Sequence, residues 1–160
     1  MAQPFRLPAR VDWSLTQRAL AHWSDNRRRH AESPNSDEGL ARSTNVNLLI
    51  MGADDVVARM VTSLWPDFSA PRVVRRRGEQ LRLLPTSRPA GTLLVYDVDT
   101  LTHREQDALH RWMNAENNRT RVVSTATQSL LPVLETGAFN DDLYYRLNVL
   151  TLDLRLPVAQ

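Results

Sequence analysis

Four short apolar runs, separated by stretches with helical spacing, constrain this chain more than any other feature. They are Asn47-Leu-Leu-Ile-Met51, Thr92-Leu-Leu-Val-Tyr96, Arg121-Val-Val-Ser-Thr125 and Val149-Leu-Thr-Leu-Asp-Leu154. Runs this short read as strands, and their alternation with amphipathic segments is the pattern of a parallel sheet covered by helices on both faces. Arg72-Val-Val74 and Gln80-Leu-Arg-Leu-Leu84 flank Gly78 and supply a further strand or a small hairpin.

The helical segments fall between these runs. Asp54 to Trp65 carries Val56, Val57, Met60, Val61 and Leu64 at helical spacing and is closed by Pro66. Thr102-His-Arg-Glu105 reads as a capping box opening a helix whose inward stripe is Ala108, Leu109, Trp112 and Met113. Ser129 to Glu135 and Asp141 to Leu147 are shorter helices. Upstream, Leu15, Ala19 and Trp23 predict a helix from about Trp13 to His30, ending in Arg27, Arg28 and Arg29, which suit a helix C-terminus. Ala31 to Thr44 is polar and turn-rich and reads as a flexible linker. The expected organisation is an N-terminal helix and linker over 1–44 and an α/β core over 45–160. The expected fold is a three-layer α/β/α sandwich around a mainly parallel five-stranded sheet.

Composition removes several classes of function. There is no cysteine, hence no disulfide framework and no thiolate metal site. No run approaches the roughly 18 apolar residues of a membrane span, and Met1-Ala-Gln-Pro-Phe-Arg lacks a signal core, so the expected location is the cytoplasm, away from membrane. All 20 basic residues are arginine, which excludes any mechanism that requires a lysine. A net charge of +2 is too small to argue for nucleic acid as a partner.

Gly137-Ala-Phe-Asn-Asp-Asp-Leu-Tyr-Tyr-Arg-Leu-Asn-Val149 resembles the run after the sensor strand in the AAA+ domain of bacterial sigma-54-dependent transcriptional activators. Gly91-Thr-Leu-Leu-Val-Tyr-Asp-Val98 is similar to that family's Walker B strand, and Arg121 to Leu130 to its sensor strand and turn. Leu150, Leu152, Leu154 and Leu156-Pro157 continue the likeness, which covers about Asn45 to Pro157. The resemblance implies a strand order like that of P-loop ATPases, with the strand ending at Gly52 central. It also implies that the chain stops before the family's lid subdomain and DNA-binding helices.

The family's chemical positions carry over unevenly. A phosphate loop needs glycines, so that backbone amides reach phosphate oxygens, and a lysine for charge. Gly52 stands at the first glycine, but later glycines fall on Asp55 and Val57 and the lysine on Ala58. Asp54 and Asp55 read as acids that complement a helix N-terminus. The two Walker B acids, which hold magnesium and polarise water, fall on Tyr96 and Asp97; Asp99 is a substitute or a cap of the turn before Leu101. The sensor position is Thr127. Of the family's two arginines that act on a neighbour's nucleotide, the first falls on Asn140 and the second on Arg146. Arg146 is thus a trans-acting arginine finger or the partner of Asp142 one turn earlier. Only about forty residues separate Gly52 from Gly91, and nothing in Asp67 to Pro89 resembles the Gly-Ala-Phe-Thr-Gly-Ala loop that contacts sigma-54.

The resemblance therefore implies a degenerate relative with no catalytic residues and no cofactor, working through protein contacts with an activator ring or with a copy of itself. Two alternatives remain at this level. One is residual binding of ATP and magnesium, or weak hydrolysis, through Gly52, Asp97 and Thr127. The other is nucleic-acid binding by the arginines from Arg72 to Arg82, a patch without interleaved aromatics. His103 and His110, seven apart on one helix, read as solvated or capping residues, since two imidazoles without a third ligand make a weak metal site.

Overall fold

The computed structural model describes residues 36–77, 79, 84 and 90–155. The helix expected from Trp13 to His30, the run from Gln80 to Leu83 with Arg82, and Leu156-Pro157 lie outside the described residues. The five strands are β1 (Leu48–Met51), β2 (Arg72–Arg75), β3 (Thr92–Val95), β4 (Arg121–Ala126) and β5 (Leu150–Asp153). They form one sheet in the order β2-β3-β4-β1-β5, every pairing parallel. Arg72–Arg75 is thus an edge strand alongside β3, with Arg72 opposite Thr92. The strand that ends at Gly52 is interior but not central. β4 holds the middle, because β5 adds only one strand beyond β1.

Five α-helices lie among the described residues: α1 (Asp37–Ser43), α2 (Asp54–Leu64), α3 (His103–Asn114), α4 (Leu131–Glu135) and α5 (Asp141–Leu147). Single 3-10 turns follow α2 at Trp65–Asp67 and β3 at Val98–Thr100. Side chains alternate across a strand, and the two faces separate accordingly. Leu49, Met51, Leu93, Val95 and Val122 pack with Leu109, Trp112, Leu143 and Leu147 of α3 and α5. Leu48, Ile50, Leu94 and Val123 pack with Ala41 of α1, Val57, Met60 and Leu64 of α2, and Phe68. Both faces are covered, which is why β1 and β3 are buried at every position instead of every second one.

Part of the predicted linker is folded. Ser36 caps α1, its Oγ accepting from the Gly39 N–H at 3.0 Å. Arg42 pairs with Glu38 at 2.9 Å and with Asp67 at 2.7 Å, and Ala41 is completely buried. The polar composition that reads as linker is the outer face of a short amphipathic helix docked by its one small apolar residue.

The docking is completed by Arg121, which opens β4 and is only 2% exposed. Its Nε donates to the Val46 carbonyl at 2.7 Å and its terminal nitrogen to the Ala41 carbonyl at 3.0 Å. The guanidinium lies 5.6 Å from the Phe68 ring centroid. Burial lowers the pKa of this group. A second buried polar side chain, Gln106 of α3, donates to Leu101 and Ala138 carbonyls, both at 3.0 Å, and accepts from the Asn140 N–H at 2.8 Å. Asn140 in turn caps α5, accepting from Leu143 N–H at 2.9 Å. Gln106 thereby fixes the entry to α5 against α3. The predicted capping box is present, with Glu105 accepting from Thr102 N–H at 2.8 Å.

Candidate functional site

Open parallel sheets take ligands at the carboxyl ends of their strands, where helix N-termini and loops converge. Here that edge is built from the ends of β1, β3 and β4. Gly52 leaves β1, and its N–H donates to the Ala126 carbonyl at 3.0 Å. A Cβ at Gly52 would sit a tight 3.1 Å from the Leu154 Cβ, just past the end of β5, and the backbone φ of +157° also disfavours a side chain there. After Ala53, the first turn of α2 carries Asp54 and Asp55, and Asp55 pairs with Arg59 at 2.9 Å.

At the end of β3 the backbone turns sharply. Asp97 has φ 56° and ψ 51°, the left-handed region that Asp and Asn tolerate best among residues with a Cβ. Its N–H donates to Thr125 Oγ1 of β4 at 3.0 Å, and its carbonyl accepts from Thr100. Burial, with the Asp54 and Asp99 carboxylates nearby, raises the Asp97 pKa; Arg77 opposes the shift. Tyr96, half-buried, has its pKa raised by burial as well.

Thr127 donates to Asp99 Oδ2 at 3.1 Å. Asp99 therefore pairs with Thr127, the residue at the expected sensor position, instead of capping the turn, a partnership across 28 positions that no local pattern announces. Its other oxygen, Oδ1, is buried and accepts no hydrogen bond from the described residues. Gly52, Asp97 and Thr127 are thus gathered on one edge of the sheet, with Asp54 and Asp99 beside them.

Arg146 lies at the opposite edge. Its carbonyl accepts from Asn47, which precedes β1, and its guanidinium donates to the Met113 carbonyl in the last turn of α3 at 3.3 Å. The pair with Asp142 is not formed; the arginine meets a helix C-terminus, where unpaired carbonyls and the helix dipole favour a cation. Asn140 is occupied as the cap of α5. His110 meets Asn114 at 2.8 Å. No group of three or more His, Cys, Asp or Glu residues among the described ones is arranged to hold a metal ion. No described helix is long and apolar enough to cross a membrane.

The strand order, the parallel pairing and the two helical layers define a P-loop NTPase type of α/β domain. The chain belongs to the sigma-54 interaction domain family, whose pattern matches residues 39–157. It is an AAA+ domain like those of sigma-54 activators and is related to transcriptional regulators. The HTH-type transcriptional regulatory protein TyrR of Citrobacter braakii is 33% identical over 75 residues, 40% of this chain and 15% of that protein, and TyrR of Salmonella typhimurium matches to the same extent. The chain thus corresponds to a small part of these relatives' length. The P-loop NTPase domain of a sigma-54 transport activator from E. coli superposes with a TM-score of 0.54 at 17% identity, over 87% of this chain and 98% of that one. NtrX from Brucella abortus, in complex with ATP, gives 0.52 at 16% identity over 88% of this chain and 44% of that one. These likenesses share the fold.

Proposed function

We propose that this domain is a non-hydrolysing member of its family that acts through protein contacts in sigma-54-linked transcription regulation. The observation that carries this reading is the acidity of the place where a nucleotide's phosphates would lie. A phosphate seat offers backbone amides and a cation to charge that is already negative. Here Asp54 begins α2 and Asp97 and Asp99 stand across from it; burial first, and then the neighbouring Asp54 and Asp99 carboxylates, raise the Asp97 pKa.

The residues present do not fit magnesium-ATP. Ala58 stands at the lysine position, and the sequence contains no lysine. Gly52 is held against Leu154, Tyr96 replaces an acid with a phenol, and Thr127 is engaged with Asp99. No step is therefore assigned to nucleotide. Arg146, bonded to the end of α3 at the far edge of the sheet, lies away from its own chain's acidic strand ends, and on this reading it would act only on a neighbour.

The reading predicts that magnesium-ATP leaves the melting temperature unchanged and is not hydrolysed. It also predicts that adding this protein changes the ATPase rate of a sigma-54 activator ring from the same cell. A melting temperature raised by magnesium-ATP would restore the nucleotide-binding alternative. Absence of association with every such activator would remove the ring-partner version.

A further inference from the structure

A cavity of about 240 Å³ opens beyond the ends of β2 and β3, beside the acidic seat but on the edge-strand side. Its polar lining is Arg75, Arg76, Arg77, Glu79, Tyr96, Thr100 and Glu105. Both carboxylates are committed to local backbone. Glu105 accepts from Thr102 in the capping box at 2.8 Å, and Glu79 accepts from the Arg76 N–H at 3.1 Å. The arginines are less committed. Arg76 lies with its guanidinium 5.4 Å from the centroid of the Tyr96 ring, which holds the flat group in place while leaving its N–H edges available. Among the described residues, neither Arg76 nor Arg77 donates a side-chain hydrogen bond, and neither is ion-paired.

We propose that this arginine cradle is a binding site for a small phosphorylated anion. A single planar fork satisfies a carboxylate, whereas two forks on consecutive residues around one volume suit a tetrahedral group with oxygens on several sides. The volume takes a phosphate with a short carbon body. It falls below the roughly 300–1,000 Å³ of sites for larger organic ligands, which argues against a nucleoside triphosphate. Thr100 is spent on the Asp97 carbonyl at 2.7 Å, so the arginines supply the recognition. The cradle lies beside the phosphate seat of the fold, sharing Tyr96 with it, and its arginines stand whether or not that seat takes nucleotide.

The test is calorimetric titration of the full chain with inorganic phosphate, glycerol 3-phosphate and succinate, alongside the double variant Arg76→Ala/Arg77→Ala and the control Arg104→Ala on exposed α3 surface. Glycerol 3-phosphate should bind saturably with a dissociation constant of about 1 mM or tighter, and the double variant should lose roughly tenfold or more of that affinity. Arg104→Ala should bind normally. Arg76 and Arg77 are exposed, so both proteins should melt like the parent. As a readout independent of fold, the side-chain Nε–H resonance of Arg76 should move on titration. Unaltered binding in the double variant, equal affinity for succinate, or no saturable binding would overturn the proposal. Tighter binding of a single-stranded oligonucleotide than of any small phosphate would also overturn it, marking the patch as a nucleic-acid surface.

Discussion

Arg121 and Ala41 meet across 80 positions of sequence, the buried guanidinium donating to the carbonyl of α1 at 3.0 Å. One side chain from the central strand thereby holds the helix that precedes the sheet. Arg121→Met keeps much of the volume but leaves the Ala41 and Val46 carbonyls without donors. Each buried group left unpaired costs about 1–3 kcal/mol, so the variant should lose about 2–6 kcal/mol in urea denaturation. Arg121→Lys should recover little, since a lysine has no fork to reach both carbonyls.

Gly91 admits no side chain. A Cβ there would lie 2.4 Å from the Pro71 carbonyl oxygen, where the chain enters β2 alongside the start of β3. Gly137, with φ +74° and nothing within 4 Å, is constrained by backbone conformation alone. Gly91→Ala should therefore destabilise by more than Gly137→Ala, with overpacking costing about 1–3 kcal/mol. Paired thermal melts compare them directly.

Asp97 gives a pH signature with a defined sign. Its folded-state pKa is raised, so the stability it contributes is fully present below its unfolded value of about 3.9 and is lost as pH rises through the folded value. Asp97→Asn keeps a residue suited to the left-handed backbone and removes the charge. The variant should be more stable than the parent at neutral pH, with the difference shrinking as pH falls toward 4. Denaturation midpoints across that range check it, and a constant difference would contradict the electrostatic account.

Asn140 and Gln106 form a relay into α5. Asn140→Ala removes a helix cap and should cost about 0.5–2 kcal/mol. Gln106→Leu removes three hydrogen bonds at once and should cost more, and the double variant should cost less than the sum because the two side chains share one backbone connection. A double-mutant cycle on unfolding free energy measures the shortfall.

The strands and most helices were legible because their signals are local. The apolar runs from Leu48 to Met51 and from Thr92 to Val95 need only be short and continuous, and the capping box at Thr102 is written in four residues. The helix Asp37–Ser43 was not legible, since its burial depends on Arg121, a residue distant in sequence. The same holds at the site. Spacing and resemblance could align Gly52, Asp97 and Thr127, and the parallel strand ends gather them. The bond between Thr127 and Asp99 and the stack of Arg76 on Tyr96 arise from tertiary packing alone. Arg146 illustrates the limit most plainly: helical spacing offers it Asp142, yet the nearby end of α3 takes it.

That separation of Arg146 from the acidic strand ends has a consequence for assembly. In a head-to-tail circle each member both gives to the next and receives from the one before. On the proposed reading this domain retains the giving side and has lost the receiving one. One copy inserted into such a circle would leave a single silent seam, and its effect would follow stoichiometry, growing stepwise with each place it occupies.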